Sequence, residues 1–255
     1  VKESFPEKNS ADQNKPLSSD KPLSLPVPSK EYKGEVAIII DDFGYNKKIA
    51  KEFIDLDIPL DISVLPNLPY STVIAEMAKK GGKEVMLHLP LEPYGYPKVN
   101  PGPGVILVNM EREEILKQLE DNLQSVPYAV GVDNHEGSKA TENKGLMTTI
   151  LERFKEKGLF FVDARTSSKS VAYNVAKQLK MSVGENAVFL DNERSVDYIK
   201  QRFRLLIKLA QQKGKAIAIG HPHQETLTSL RESLFLFRKE KIKVTFISRL
   251  LQKGN

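Results

Sequence analysis

The segment from Glu35 to Gly44 constrains the fold most, because an apolar run leads directly into two adjacent carboxylates and a glycine. The run Val36 to Ile40 is typical of a strand that is buried on both faces of a parallel sheet. Asp41 and Asp42 follow it without a spacer. Two acids at the edge of a dry core repel each other, and this raises the pKa of at least one of them. A metal ion or a shared proton would relieve that repulsion.

Strand-like and helix-like segments alternate from residue 35 onward. Strands are predicted at 35–41, 60–65, 84–89, 128–133, 159–163, 187–190, 215–219 and 242–247. Helices are predicted at 46–56, 70–81, 111–125, 145–157, 171–180, 195–213 and 224–240. Seven to eight βα units with mostly short connections imply a parallel sheet, and their even repetition favours a distorted (β/α) barrel over an open sheet. The sequence contains neither the Gly-x-Gly-x-x-Gly motif nor the Gly-x-x-x-x-Gly-Lys motif of phosphate-binding loops. Their absence argues against a nucleotide-binding fold.

The first 33 residues differ in composition from the rest of the chain. Residues 1–33 are rich in Lys, Ser, Pro, Asp and Asn, and such a segment buries too little apolar surface to offset its ordering entropy. We therefore expect a flexible tether at 1–33 and a single domain at 34–255. The chain has no initiator Met and no visible signal peptide, so we interpret it as a mature or trimmed form, with the tether as a candidate link to a membrane.

Composition excludes several classes of protein. The 255 residues carry a net charge of +5, spread over lysines along the whole chain, whereas a nucleic-acid footprint is a clustered basic patch. The chain has no cysteine, which excludes disulfides, a thiol nucleophile and thiolate metal sites. No segment approaches the roughly 20 apolar residues of a membrane span. We expect a monomer that binds no nucleic acid and has no transmembrane segment.

The four histidines all follow predicted strands. His88, His135, His221 and His223 lie at or just past strand ends, as Asp41 and Asp42 do. In parallel α/β folds that edge carries the active site, so a single shared site is predicted. A lone histidine at a strand end is more often structural, but all four at one rim favour a site.

A divalent ion suits this set of side chains. Two imidazoles and one carboxylate, from His88, His135 and Asp42, are ligands for zinc or a similar ion. Glu92 is a candidate further ligand or partner of a ligand. Asp41 would then act as general base. The alternative for the two acids is that they cap the helix at 46.

Other polar residues near the same edge complete the candidate site. His221 would donate a proton to a leaving group or stabilise an oxyanion. Asp163 and Arg165, like Glu92, are candidates for the metal site or for partners of its ligands. They would orient a catalytic carboxylate or bind substrate oxygens, with a structural ion pair at the rim as the equal alternative. No Gly-x-Ser-x-Gly elbow surrounds Ser138, which argues against a serine hydrolase. The residues expected to bind substrate are Asn134, Ser138, His223 and Tyr94.

A long connection rich in proline and glycine follows His88. Residues 90–110 include Tyr94 and the run Pro101-Gly102-Pro103-Gly104. Loops of this length are usually functional or disordered. We expect it to form one wall of a substrate cleft, with a solvated excursion as the alternative.

Five ordered motifs in residues 35 to about 250 resemble the divergent polysaccharide deacetylase family, a remote branch of the NodB-like carbohydrate esterases. The motifs are Ile38-Ile39-Ile40-Asp41-Asp42-Phe43-Gly44, His88-Leu89-Pro90-Leu91-Glu92-Pro93, Asn134-His135-Glu136-Gly137-Ser138, Val162-Asp163-Ala164-Arg165-Thr166-Ser167 and Ile219-Gly220-His221-Pro222. The resemblance implies a distorted barrel, an extracytoplasmic setting, Asp41 as catalytic base and Asp42 as metal ligand. One position departs from the pattern: Glu92 stands where NodB-like enzymes have a second histidine.

These observations together predict a metal-dependent hydrolase, most simply with zinc, that removes acetyl groups from a carbohydrate of the cell envelope such as a peptidoglycan-like glycan. The first alternative is a non-catalytic carbohydrate-binding or envelope-assembly protein on the same fold. The second is a hydrolase of another ester or a phosphoester. Fold alone does not separate them.

Overall fold

The computed structural model describes residues 32–252, which contain nine strands, eight α-helices and one 3₁₀ turn at Ala140–Glu142. Of the expected tether, only residues 32–33 lie within the described part of the chain. The strands are β1 Gly34–Phe43, β2 Asp61–Val64, β3 Glu84–Leu91, β4 Ala129–Glu136, β5 Phe160–Asp163, β6 Val183–Glu185, β7 Val188–Phe189, β8 Lys215–Gly220 and β9 Ile242–Val244. The helices are α1 Lys47–Ile54, α2 Ser71–Lys80, α3 Arg112–Ser125, α4 Lys144–Glu156, α5 Ala172–Gln178, α6 Val196–Lys213, α7 Gln224–Lys239 and α8 Ile247–Gln252.

The strands form one parallel sheet that curls into a distorted barrel. Its order is β6-β5-β4-β3-β2-β1-β8-β7, with β9 also paired to the start of β1. The two outer strands, β6 and β7, are joined by only two residues. Asn186 donates its amide N–H to Asp163 of β5, and Ala187 donates its own to Ile217 of β8. One short segment thus connects both ends of the sheet, which confirms the predicted barrel class.

Alternation along each strand divides the core into two layers. On β1, Ala37 and Ile39 belong to a cluster inside the barrel, together with Met86 of β3 and Ile219 of β8. The residues between them, such as Ile38, pack in the larger cluster against the helices. Successive side chains of a strand point to opposite faces, so the position of a residue in this alternation determines whether it can reach the barrel interior.

The last helix closes the end of the barrel where the strands begin. Ile247 and Leu250 of α8 are buried in the inner cluster. Asp61 of β2 accepts the backbone N–H of Ile247, and Glu84 of β3 accepts the N–H and hydroxyl of Ser248. These two acids satisfy the free amides of the first turn of α8, so α8 closes this end of the barrel and leaves the opposite end uncovered.

The seven predicted helices are present, each within two residues of its predicted ends. The prediction missed β6 and α8, because segments of three and six residues are too short to show a period. The predicted strand at 242–247 is wrong beyond Val244, since α8 begins at Ile247. None of the described helices has the length and apolar character needed to span a bilayer.

Gly34 allows helix α6 to pack directly on β1. A Cβ at this position would overlap the backbone carbonyl of Ala210. We expect Gly34→Ala to lower the free energy of unfolding by about 1–3 kcal/mol, because backbone atoms must move to make room. Chemical denaturation measures this change.

The matched control is Gly145→Ala, a helical position where a Cβ meets only Asn143 Oδ1 at an ordinary contact of 3.5 Å. That variant should keep or slightly raise the stability, because alanine favours the helix. Equal stability of the two variants would contradict the close packing of α6 on β1.

Candidate metal centre and active-site cleft

A bulge at the end of β1 brings two adjacent acids to the same site. In a regular strand Asp41 would point into the barrel and Asp42 toward the helices. The pairing of β1 with β2 shifts register between Ile40 and Phe43, and Asp42 has a φ of 57°. Such left-handed backbone is uncommon for a residue other than glycine. The bulge turns the carboxylate of Asp42 toward the histidines of β3 and β4.

Asp42, His88 and His135 form a compact triad of ligand atoms. Asp42 Oδ1 lies 3.3 Å from His88 Nε2 and 3.1 Å from His135 Nδ1, and the two nitrogens lie 3.1 Å apart. Both histidines lie inside strands rather than at their ends, since β3 and β4 continue beyond them. Their positions in the alternation direct both imidazoles into the barrel.

The triad fits a divalent cation. Asp42 Oδ1 is buried and makes no hydrogen bond, although two imidazole nitrogens lie close to it. Three atoms with lone pairs therefore converge on one point. A tetrahedral ion with bonds of roughly 2.0–2.1 Å holds its ligand atoms about 3.3 Å apart, close to the distances within the triad. Two nitrogens and one carboxylate oxygen suit zinc and neighbouring borderline ions.

Asp133 fixes the orientation of His88. Its Oδ1 lies 3.2 Å from His88 Nδ1 and also accepts the hydroxyl of Ser63. Asp133 is fully buried, and its Oδ2 has no hydrogen-bond partner. With Nδ1 directed at this carboxylate, His88 presents Nε2 to the triad. A carboxylate behind a ligating imidazole is a common arrangement around metals.

Asp41 lies on the interior side of the triad. It is 2% exposed, its Oδ2 is 3.7 Å from His88 Nε2, and its Oδ1 has no hydrogen-bond partner. Burial and the nearby charge of Asp133 raise the pKa of Asp41 well above its usual value. Neither acid caps α1, because Asn46 accepts the amides of Lys48 and Ile49. The helix-cap alternative for Asp41 and Asp42 is therefore wrong.

His221 stands on the other side of Asp42, oriented by Asp191. His221 Nδ1 lies 2.8 Å from Asp191 Oδ1, and Asp191 Oδ2 accepts the backbone N–H of His221 and the hydroxyl of Thr226. His221 Nε2 lies 4.0 Å from Asp42 Oδ2. Burial alone would lower the pKa of His221, but the hydrogen bond and charge of Asp191 outweigh it and raise that pKa.

Two residues of the triad, Asp42 and His135, border a cleft of about 390 Å³. Asp42 and His135 form its floor, and Tyr45 and Ile49 form one wall. Residues 100–102 of the long loop form another wall, and His223 completes the lining. The prediction that this loop borders a cleft is confirmed. The volume lies within the range typical of pockets for small organic ligands.

Glu92 does not join the triad. Its Oε1 pairs with Lys139 at 2.5 Å, and its Oε2 accepts the amide of Val108 at 2.6 Å. Its backbone carbonyl also accepts the amides of Lys139 and Ala140. Glu92 thereby ties the long loop to the segment after β4.

Asp163 and Arg165 are also separate from the triad. The side chain of Asp163, at the end of β5, points away from the barrel interior. Its carboxylate accepts the amide N–H of Arg165 at 2.8 Å and the hydroxyl of Ser170 at 2.7 Å. The guanidinium of Arg165 lies between Asp163 at 4.0 Å and Glu185 at 3.8 Å. These contacts correspond to the structural ion pair at the rim rather than to a metal ligand.

Of the four residues expected to bind substrate, only His223 lines the cleft, and the other three make contacts outside it. His223 lines the cleft, and its ring stacks near that of His221 at a centroid distance of 6.0 Å. Asn134 is buried on the outward side of β4 and accepts the amide of Ala164. Ser138 accepts the amide of Tyr94. The hydroxyl of Tyr94 is 2.7 Å from Glu142, and 66% of Tyr94 is exposed.

Sequence reasoning missed Asp133 and Asp191. Asp133 stands two residues before His135, so the same alternation places both inside the barrel. Asp191 lies two residues past the end of β7, and the rule that acids past strand ends reach the site would have found it. Both signals were present in the sequence.

The model of the divergent polysaccharide deacetylase family matches residues 38–251. The chain belongs to this family. It is 32% identical over 213 residues to the uncharacterized protein YibQ of Escherichia coli K12, which covers 84% of this chain. The chain spans 65% of the length of YibQ.

Solved structures share the fold. The uncharacterized protein ATU2773 of Agrobacterium tumefaciens C58 has a TM-score of 0.82 at 23% identity, with 87% of this chain and 91% of that chain covered. The catalytic domain of peptidoglycan N-acetylglucosamine deacetylase from Eubacterium rectale has a TM-score of 0.52 at 14% identity, with 83% and 87% covered. A mutant of BA3943 from Bacillus anthracis, a CE4 family pseudoenzyme with restored enzymatic activity, has a TM-score of 0.53 at 17% identity, with 85% and 67% covered.

The contacts of Asn134 predict a structural role. We expect Asn134→Ala to lower the free energy of unfolding by about 1–3 kcal/mol, because the buried amide of Ala164 loses its acceptor. Ser138→Ala is the matched control and should change stability by less than about 0.5 kcal/mol. Thermal or chemical unfolding measures both. An Asn134→Ala protein as stable as the wild type would leave Asn134 free for substrate.

Proposed function

We propose that this protein is a metal-dependent hydrolase that removes acetyl groups from a glycan of the cell envelope. The observation that carries the proposal is the convergence of Asp42, His88 and His135 at 3.1–3.3 Å, with Asp42 and His135 lining an open cleft. Asp41 and His221 lie on two sides of that triad. A carboxylate and a histidine around a ligand triad supply the proton transfers that hydrolysis needs.

Each side chain has a defined task in this proposal. Bound at the triad, a zinc-like ion would polarise the acetyl carbonyl and lower the pKa of a bound water. Asp41 accepts a proton from the attacking water at Oδ1, the oxygen without a partner. His221 carries a proton on Nε2 and gives it to the leaving nitrogen or oxygen as the acyl bond breaks. Asp191 holds that imidazole in place.

The family and the lining of the cleft both favour a glycan as substrate. The family is one of polysaccharide deacetylases, and the Eubacterium rectale neighbour is a peptidoglycan N-acetylglucosamine deacetylase. The cleft is open and has mixed walls, with Tyr45 and Pro101 beside the polar floor. Such a surface suits a sugar, which has apolar ring faces and polar edges. A glycan of the envelope implies an extracytoplasmic location, with residues 1–33 as the tether to a membrane.

A second candidate function is glycan binding without turnover. It is favoured by the pseudoenzyme BA3943, which has this fold, and by Glu92, which pairs with Lys139 instead of supplying a ligand. In that case the cleft would bind an acetylated glycan and release no acetate.

The metal content of purified variants distinguishes residues that bind the ion from residues that only lie near it. We expect protein purified without chelator to hold about one divalent ion per chain, and His88→Ala and His135→Ala to lose it, since each removes one of three ligands. His223→Ala is the matched control and should retain the ion, because His223 lies outside the triad. Elemental analysis gives the ratio directly. Loss of the ion in the control alone would place it among Asp191, His221 and His223 instead.

Acetate release tests the chemistry. We expect wild-type protein to release acetate from N-acetylated or O-acetylated glycan oligomers, and Asp41→Asn to lower kcat by about 10²–10⁴-fold while retaining the ion, because it removes the base. The isosteric amide keeps the shape of the site.

Three outcomes of this assay are distinct. Full activity in Asp41→Asn would contradict the base assignment. Glycan binding without acetate release by metal-loaded wild type would favour the non-catalytic alternative. Neither binding nor release across the panel would reject the glycan as ligand.

A further inference from the structure

The end of the barrel opposite the cleft carries five exposed lysines, which we call the basic face. In a parallel barrel the strands begin, and the helices that follow them end, on this side. Lys215 begins β8, Lys180 precedes β6, and Lys213 ends α6. Lys155 and Lys177 lie in the last turns of α4 and α5. The lysines that look dispersed in the sequence are thus gathered by topology.

The basic face surrounds three adjoining hollows of about 380, 420 and 250 Å³ next to the end of α8. Leu251 borders all three, Lys180 is shared by two of them, and Lys215 is also shared by two. Glu185 is the one acid among their lining residues within the described chain, and it lies 3.8 Å from Arg165. Lysines therefore outnumber acids among the residues that line the hollows.

The five lysines of the basic face form no ion pair within residues 32–252, although Glu35 stands opposite Lys215 in the pairing of β1 with β8. Among the described residues, none of its five lysines lies within 4.0 Å of an acidic oxygen, whereas two other lysines at helix ends, Lys51 and Lys157, pair with Asp55 and Glu120. Lys177 has only a cation–π contact with Tyr173, at 5.4 Å. Unpaired lysines on one surface attract a negatively charged partner.

Exposed apolar side chains lie beside these lysines. Val130 borders the same hollow as Lys155 and Lys180, and it is 39% exposed. Two residues earlier, Tyr128 is 55% exposed at the start of β4. Tyrosine with an apolar ring and a polar tip, next to lysines, is the composition that proteins present to the interface of a bilayer.

We propose that the basic face docks the domain on an anionic phospholipid surface. The lysines would contact headgroup phosphates, and Tyr128 and Val130 would enter the interfacial layer. The described chain begins at Tyr32, next to the start of β1 and therefore at the same end of the barrel. Tyr32 is itself 57% exposed. Docking through this end directs the cleft away from the membrane.

Vesicle binding by the full 255-residue chain tests the proposal. We expect co-sedimentation with vesicles of phosphatidylglycerol and phosphatidylcholine, little binding to phosphatidylcholine alone, and release when salt rises from about 0.05 M to about 0.5 M. Lys180→Glu/Lys215→Glu should weaken partitioning by about tenfold or more, because each lysine near a charged bilayer contributes severalfold.

The matched control is Lys48→Glu/Lys117→Glu, which changes the net charge equally at exposed positions on α1 and α3. It should bind as the wild type does. Equal losses in both double variants would show that only net charge matters and would overturn the docking face. Binding to phosphatidylcholine alone, or no binding to either vesicle, would also overturn it.

A fluorescent probe gives an independent readout. The chain has no tryptophan, so Tyr128→Trp introduces a single reporter at the proposed interface. Its emission should shift to the blue on addition of phosphatidylglycerol vesicles, because the ring leaves water. An unchanged emission spectrum with bound vesicles would place the contact elsewhere on the domain and contradict this face.

Discussion

His88 is buried among the carboxylates of Asp41, Asp42 and Asp133, and the site depends on how this negative charge is neutralised. Burial alone would lower the pKa of His88, but Asp41 and Asp133 outweigh it and raise that pKa well above its usual value. Burial would likewise raise the pKa of Asp42, but the nearby imidazoles of His135 and His88 lower it. A proton on His88 or a cation at the triad supplies the compensating charge.

The barrel creates this cluster through the alternation of its strands. Asp41, His88 and Asp133 occupy inward positions of β1, β3 and β4, while the bulge at Asp42 adds the fourth group from an outward position. α8 fills the other end of the barrel. The protein therefore has two chemically different ends: an acidic, histidine-rich cleft and a lysine-rich face. Catalysis and membrane docking, as proposed here, use separate ends of one domain.

Much of this could be predicted from the sequence. The apolar run before Asp41 and the even βα repeats predict the barrel, and the four histidines past apolar runs predict the cleft. The positions of the strand ends do not show whether a side chain points into the barrel or toward the helices. Asn134 and Asp163 stand next to inward residues but point outward, so they brace loops. The bulge that redirects Asp42 depends on pairing with β2, which no local pattern of β1 reveals.

The most direct test of the central claim is the position of a bound ion in crystals of the wild-type protein grown with zinc. Anomalous diffraction on either side of the zinc absorption edge locates the metal without reference to activity. We expect one strong peak between Asp42 Oδ1, His88 Nε2 and His135 Nδ1. A peak among Asp191, His221 and His223 instead, or an empty triad at saturating zinc, would contradict it.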